Sequence, residues 1–328
     1  VPDEIMSKQR KSELKEQWVV GPARTQNEDD KRKALARYYG GWEPGSGLVL
    51  SRFSPVHHVV PAGIVNWNHE VFKNVTLFRG LDHGLGRPGT CVWGMMFPWG
   101  QMLIYREYYQ KDGNIPEHVQ NITKLSGSSI VESDEYADVG SKLTFKTFKE
   151  QFGKEEYAST VLDSRSFASP GQESQRTIGH LYQDYGLDCS PARGWKNEKA
   201  VPHMELWFKL NPPMEHLMYH LAKRQAISLD LYEKWLKDRG GIYKNAPKIY
   251  FVSDLKWTFK EFRSWAKHPE TGLPLPHNDH IAGGALKYLL IDEPRYEGHN
   301  RDDTGIVVSL GDPLEPRKKK PAGSKFVS

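Results

Sequence analysis

Residues 77–109 read LFRGLDHGLGRPGTCVWGMMFPWGQMLIYREYY, and the rhythm of this stretch decides the fold. Taken from residue 75, it holds three apolar runs, VTLFRGLDHG, TCVWGMMF and QMLIYREYY, separated by the short turns LGRPG and PWG. Runs rich in β-branched and aromatic residues, punctuated by Gly and Pro, predict an antiparallel three-stranded meander. The first run is apolar until Asp82. A half-buried carboxylate is costly unless it is paired or bound to a cation, so Asp82 needs a partner.

Further along, IPEHVQNITKLSG has helical spacing, and after a polar insertion YASTVLDS supplies a fourth strand that ends on Asp163. QESQRTIGHLYQDYG reads as a helix and LDCSPA as a fifth, short strand. The remainder is mostly helical: HMELWFKLN, PPMEHLMYHLAKRQ, LDLYEKWLKDRG and SDLKWTFKEFRSWAK, with KIYFV as a strand among them and PHNDHIAGGALKYLL carrying the last core helix. A meander followed by alternating helix and strand predicts an α/β layer built on a mixed sheet. Upstream, residues 1–42 are charged and carry too few apolar positions for a core, and GGWEPGSG marks a boundary. The expected organisation is therefore a linker or the end of a preceding domain over 1–47, a compact domain over 48–299 and a basic, disordered tail over 300–328.

At 328 residues with 38% hydrophobic content, the chain is long enough to bury a substantial core. Its net charge of +4 permits a polyanionic partner without requiring one. Cys91 and Cys189 have neither disulfide-framework nor zinc spacing, which fits a reducing cytoplasm. No apolar run approaches the roughly 20 residues of a membrane span, and no P-loop is present.

Three aspartates share an unusual placement. Asp82 follows an apolar run at the centre of the first strand, Asp163 ends the fourth strand, and Asp279 opens the last core helix with Asn278 as its expected N-cap. Acids gathered at the ends of neighbouring elements suggest hard divalent ions such as Mg²⁺ or Mn²⁺, which take oxygen ligands. Gly283 follows Asp279 by one turn, where a residue without Cβ lets the helix approach the Asp82 strand or leaves room for a phosphate. Alternatively, Asp279 complements the helix dipole and the glycines are packing contacts. Arg165, Arg176, Arg193, Lys196 and Lys199 surround the Asp163 strand, either as a phosphate-tracking surface or as solvated charge. DHGLGRPG is a hairpin turn rather than a phosphate loop, because no helix follows it. Glu107 is either an exposed strand residue or a carboxylate supporting the site; His57 and His58 read as core or surface histidines. HND matches one element of an iron(II) facial triad, but the distal histidine would have to be His299 in the polar tail.

Taken together, these residues resemble the nuclease domain of the phage large terminase, the DNA-packaging motor. The meander with Asp82 and the Arg106–Glu107 pair, VLDSRS with LYQDYGLDCSPARGWKNE, and HNDHIAGGALKYLL are similar to that family's motifs in order; ALARYYGGWEPGSGLVLSRFSPVHHV resembles its inter-domain stretch. The last motif departs from the family pattern: the glycine pair stands where a second acid is usual, with one extra residue before ALKY. The resemblance implies an RNase H-like mixed sheet, antiparallel in its first three strands and flanked by helices, with residues 1–47 as the end of an ATPase domain. It also implies a two-metal endonuclease that cuts concatemeric viral DNA during packaging. In that reading Asp82, Asp163 and Asp279 bind two Mg²⁺ or Mn²⁺ ions, His280 shuttles a proton, and Arg165, Arg193 and Lys196 hold double-stranded DNA. The partners implied are the portal protein, the small terminase subunit and the chain's own ATPase domain, in the host cytoplasm and transiently at the procapsid portal. Another RNase H-like nuclease such as a junction resolvase, or a degenerate DNA-binding packaging module, remains as an alternative.

Overall fold

The computed structural model describes residues 47–84, 87–138, 144–168, 176–238, 241, 243–268, 270–275 and 280–298. Its strands are β1 (Val59–Val60), β2 (Thr76–Asp82), β3 (Gly89–Met96), β4 (Met102–Gln110), β5 (Ser129–Asp138), β6 (Thr144–Gln151), β7 (Tyr157–Leu162), β8 (Tyr185–Gly186), β9 (Ser190–Pro191), β10 (Asn211–Glu215), β11 (Lys244–Ala246) and β12 (Ile249–Val252). The main helices are α1 (Ile115–Leu125), α2 (Ile178–Asp184), α3 (Asn197–Phe208), α4 (Leu217–Lys223), α5 (Leu229–Asp238), α6 (Lys256–Ser264) and α7 (Leu286–Ile291), the last entered through a π-helical turn, Ile281–Ala285.

Among the described residues, seven strands form the central sheet in the order β1-β12-β4-β3-β2-β7-β9. β2, β3 and β4 run antiparallel, whereas β7 lies parallel to β2, β9 to β7, β12 to β4 and β1 to β12. This is a mixed sheet, antiparallel in its first three strands as expected. Every residue of β3 is buried, as a strand covered by helices on both faces requires.

The two faces bury different chemistry because successive side chains alternate. One face carries the row Arg79, Trp93 and Arg106, and the other carries Asp82, Thr90 and Tyr109. On the first face, Arg79 is 1% exposed and forks onto Glu150 of β6 at 2.9 and 2.7 Å, with Thr160 accepting from Nε at 2.9 Å. Removing either partner would strand a buried charge, so this pair fixes the β5–β6 hairpin to the sheet. That hairpin corrects the sequence reading of a plain polar insertion. A second correction concerns the start of PPMEHLMYHLAKRQ: Pro212 and Pro213 lack donors, and the stretch begins as β10, paired only with β11, before α4 starts.

α1 also packs on the first face, closed by a capping box between Asn114 and Glu117. Its His118 is buried against Gly89 and Gly113, and shares a 2.8 Å hydrogen bond with the Tyr108 hydroxyl. Burial holds His118 below the usual 6.5, and burial together with His118 pushes neighbouring His83 down to about 4. The unfolded chain therefore binds more protons than the folded one just below pH 6.5, so stability should fall as pH drops through that value. Urea unfolding at pH 7.5 and 5.5 should show the loss, and His118→Gln should make it shallower; an equal drop in the variant would remove His118 from the effect.

Candidate active site

Leu81 of β2 pairs in register with Leu162 of β7, so Asp82 and Asp163 emerge side by side from the same end of two parallel strands about 4.8 Å apart. From β2 the chain continues to β3 on one side, and from β7 it continues towards β9 on the other. The two carboxylates thus stand where connections diverge, the position at which open α/β sheets form ligand crevices. They line a cleft of about 640 Å³ together with His83, Arg165, His280, Gly283, Lys287 and Tyr288. The side chains of Asp82 and Asp163 are 16% and 13% exposed.

A chain of carboxylate caps positions the far wall of this cleft. Glu107 of β4 accepts from the backbone N–H groups of Trp257 and Thr258, each at 2.8 Å, and from the Thr258 hydroxyl at 2.7 Å, anchoring the start of α6. Glu261 of α6 in turn accepts from the N–H groups of His280, Ile281 and Ala282 at 3.1, 2.8 and 2.7 Å. An anion at the opening of a helical segment satisfies donors that have no partner within it. The Thr90 hydroxyl donates to the His280 carbonyl at 2.9 Å and ties the same turn to β3. Glu261→Ala should leave buried donors unsatisfied and destabilise the protein by on the order of 3 kcal/mol. Glu261→Gln should recover part of that loss in chemical denaturation, because its carbonyl still accepts; stability equal to wild type in the alanine variant would refute the capping role.

Backbone glycines set how closely this wall approaches. At Gly80 of β2 an added Cβ would lie 2.2 Å from the Ala285 carbonyl oxygen, and at Gly284 it would lie 2.7 Å from the Asp82 carboxyl carbon. The close approach to the Asp82 strand, one of the two uses weighed for Gly283, is made by Gly284, and Gly283 lines the cleft, which keeps the other use, room for a phosphate, open. The extra residue before ALKY coincides with the π-helical turn, which places one more residue in a turn than an α-helix does. That insertion turns Gly284 onto the strand.

The cleft has an internal charge balance. Burial raises the Asp163 carboxyl, but Arg165 outweighs it and, with the Tyr288 hydroxyl, holds it below the usual 3.8. Arg165 donates to Asp163 through Nε at 2.8 Å and its backbone N–H at 3.1 Å, and the Tyr288 hydroxyl donates at 3.0 Å. His280 Nδ1 lies 3.5 Å from Asp82 Oδ2, while its buried Nε2 has no hydrogen-bond partner among the described residues. Burial lowers Lys287, opposed by the charges of Asp82 and Asp163.

Two carboxylates of this kind, with an unpartnered imidazole nitrogen beside them, fit a hard divalent cation in donor type. Among the described residues no group of three or more His, Cys, Asp or Glu is arranged to hold a metal ion. The third expected ligand, Asp279, lies outside the described residues, as do His277, Asn278, His299 and the tail.

Of the expected site residues, Asp82, Asp163, His280 and Arg165 share the cleft. Arg193 and Lys196 line an adjoining hollow of about 450 Å³ that also contains Asp163, Arg165, Lys287 and Tyr288. Arg193 pairs with Glu293 at 3.1 Å, and Arg176 is engaged by Asp184. His58 is a core residue bonded to Ser54 and the Phe208 carbonyl, and Glu107 is the cap just described. Lys287, Tyr288 and Glu261 escaped the sequence reading. The signal for Lys287 was its position one turn beyond the glycine pair, a polar residue inside an apolar helix.

No protein-family model matches the chain, and no curated protein matches it significantly. Among solved structures it is similar to a large terminase from a thermophilic bacteriophage bound to ATP-gamma-S, with 15% identity and a TM-score of 0.44 over 87% of this chain and 52% of the other. The chain therefore spans about half the length of that protein. It is also similar to the P22 large terminase nuclease domain, with 10% identity and a TM-score of 0.43 over 75% of this chain and 91% of that domain. For the SPP1 large terminase nuclease domain with bound Mn, the values are 14% and 0.36, over 72% of this chain and 97% of the domain.

Proposed function

We propose that this chain is a metal-dependent DNA endonuclease, the nuclease part of a large terminase that cuts concatemeric viral DNA during packaging. The observation that carries the reading is the pair Asp82 and Asp163, delivered by adjacent parallel strands into one cleft edged with cations. Asp82, Asp163 and Asp279 would hold two Mg²⁺ or Mn²⁺ ions, which when bound supply charge neutralisation at the phosphate and acidify a water. The protein's own groups do the rest. His280, whose Nδ1 lies 3.5 Å from Asp82, would shuttle a proton in this reading. Tyr288 fixes one oxygen of Asp163, leaving the carboxylate in a single orientation. Lys287, partly desolvated between the two acids, offsets their mutual repulsion.

Arg165, 83% exposed, together with Arg193 and Lys196, would hold the phosphates that flank the cut. Such contacts carry little sequence information, so cleavage should be largely sequence-independent. The portal protein, the small terminase subunit and an ATPase domain of the same chain belong to this reading as partners, with the host cytoplasm and the procapsid portal as its setting. Incubating plasmid DNA with the chain and Mn²⁺, Mg²⁺ or EDTA tests it: cleavage should require the metal. Preference for branched over linear DNA would instead indicate a junction resolvase, and DNA binding with no cleavage under any metal would indicate a packaging module without catalysis.

A further inference from the structure

Trp257, in the first turn of α6, lies stacked on Tyr109 with ring centres 4.2 Å apart and planes 10° from parallel. Two ammonium groups rest over its indole, Lys260 at 4.8 Å and Lys256 at 5.3 Å from the ring centre. Tyr109 is in register with Thr90, and Thr90 with Asp82. The Trp257 post therefore stands on the same sheet face and in the same residue row as the candidate site, two strand spacings or about 10 Å from β2. On the opposite flank, Trp195 follows β9 and carries Lys199 at 3.9 Å and Arg193 at 5.4 Å. Two indole-mounted groups of cations thus bracket the acidic cleft. The strands that lead to them, β4 and β9, are four spacings or about 19 Å apart.

Resting on the nuclease reading above, we propose that Lys256 and Lys260 form a second phosphate-binding station, and that duplex DNA lies across this edge of the sheet, held on both flanks with the cut phosphate between them. Charge complementarity selects a polyanion, since both lysines are exposed and neither is paired with a carboxylate among the described residues. The indole restrains side chains that would otherwise lose rotamer freedom on binding. Tyr109 covers one face of Trp257 and the lysines approach the indole as well, so the post offers charge to the backbone rather than a platform for a base. Its contacts are sequence-independent for that reason. A span of about 19 Å corresponds to five or six base pairs, over which duplex DNA is stiff enough to bridge both flanks.

Binding of a 30-base-pair duplex, measured by fluorescence anisotropy in EDTA across a range of salt concentrations, separates this inference from the chemistry. Lys256→Ala with Lys260→Ala should bind severalfold more weakly, and its salt slope should fall by about 1.8, the loss of two phosphate contacts. Lysine-to-arginine replacement at both positions should restore slope and affinity. An unchanged slope in the alanine pair, while Arg193→Ala with Lys196→Ala loses both, would overturn the second station and leave the nuclease reading standing. A loss seen only with single-stranded DNA would overturn it as well. If the wild-type chain neither binds duplex nor cuts plasmid, both readings fall together.

Discussion

Asp82→Asn and Asp163→Asn should each reduce plasmid cleavage to background while leaving the fold intact. An amide keeps the shape of the carboxylate but removes the charge that a hard cation requires. Losing a residue that merely supports a ligand costs about 10–100-fold, so losing the ligand itself should exceed about a hundredfold. The variants should melt close to wild type for separate reasons. At Asp82, one of two adjacent carboxylates is neutralised and their repulsion relieved. At Asp163, the pair given up is with an exposed arginine, and such pairs contribute about 0–1 kcal/mol. Cleavage at the wild-type rate in either variant, with circular dichroism unchanged, would exclude that aspartate from the site. Calorimetry with Mn²⁺ adds a readout independent of turnover: both variants should bind it more weakly than the parent.

Those two aspartates were legible in the sequence because each ends an apolar run, and a charge at such a point has few structural uses. The three-stranded meander was legible for a related reason, each strand being rich in apolar and aromatic residues and separated from the next by a turn containing Gly and Pro. By contrast, the β5–β6 hairpin contains SIVESDEYAD, whose acids hide the strand pattern, and its attachment depends on Glu150 meeting Arg79 from 71 residues away. Local sequence carries no trace of that meeting. Glu261 was hidden likewise: in FKEFRSW it resembles a solvated helix residue, yet its oxygens satisfy three N–H groups 19 to 21 residues later. Glu107 was weighed as exposed or as part of the site, and a carboxylate capping a distant helix was a third use that spacing does not express. The insertion before ALKY was visible, but its effect on the facing of each glycine depends on the π-helical turn, which sequence periodicity does not resolve.

That turn makes opposite outcomes expected at two adjacent positions. Gly284 is buried against β2, and a methyl group there would meet the Asp82 carboxyl carbon and Oδ2, both at 2.7 Å, and its Cβ at 2.8 Å. Gly284→Ala gains about 1 kcal/mol of helix propensity but suffers overpacking of about 1–3 kcal/mol, so stability should change little or fall modestly. Activity should fall much further, because the atoms that must move belong to the candidate ligand, and displacement by about 1 Å can cost a hundredfold in rate. Gly283 is half-buried and lines the cleft. Gly283→Ala should therefore fold and cut nearly as wild type does. Gly283→Asp brings a hard oxygen donor into the cleft that Asp82 and Asp163 share, and should tighten Mn²⁺ binding in calorimetry, whereas Gly284→Asp should weaken it by pressing on Asp82. Equal tolerance of alanine at both positions, or tighter Mn²⁺ binding in the Gly284 variant, would mean that the helix presents the other glycine to the acids and that the π-helical turn does not set this face.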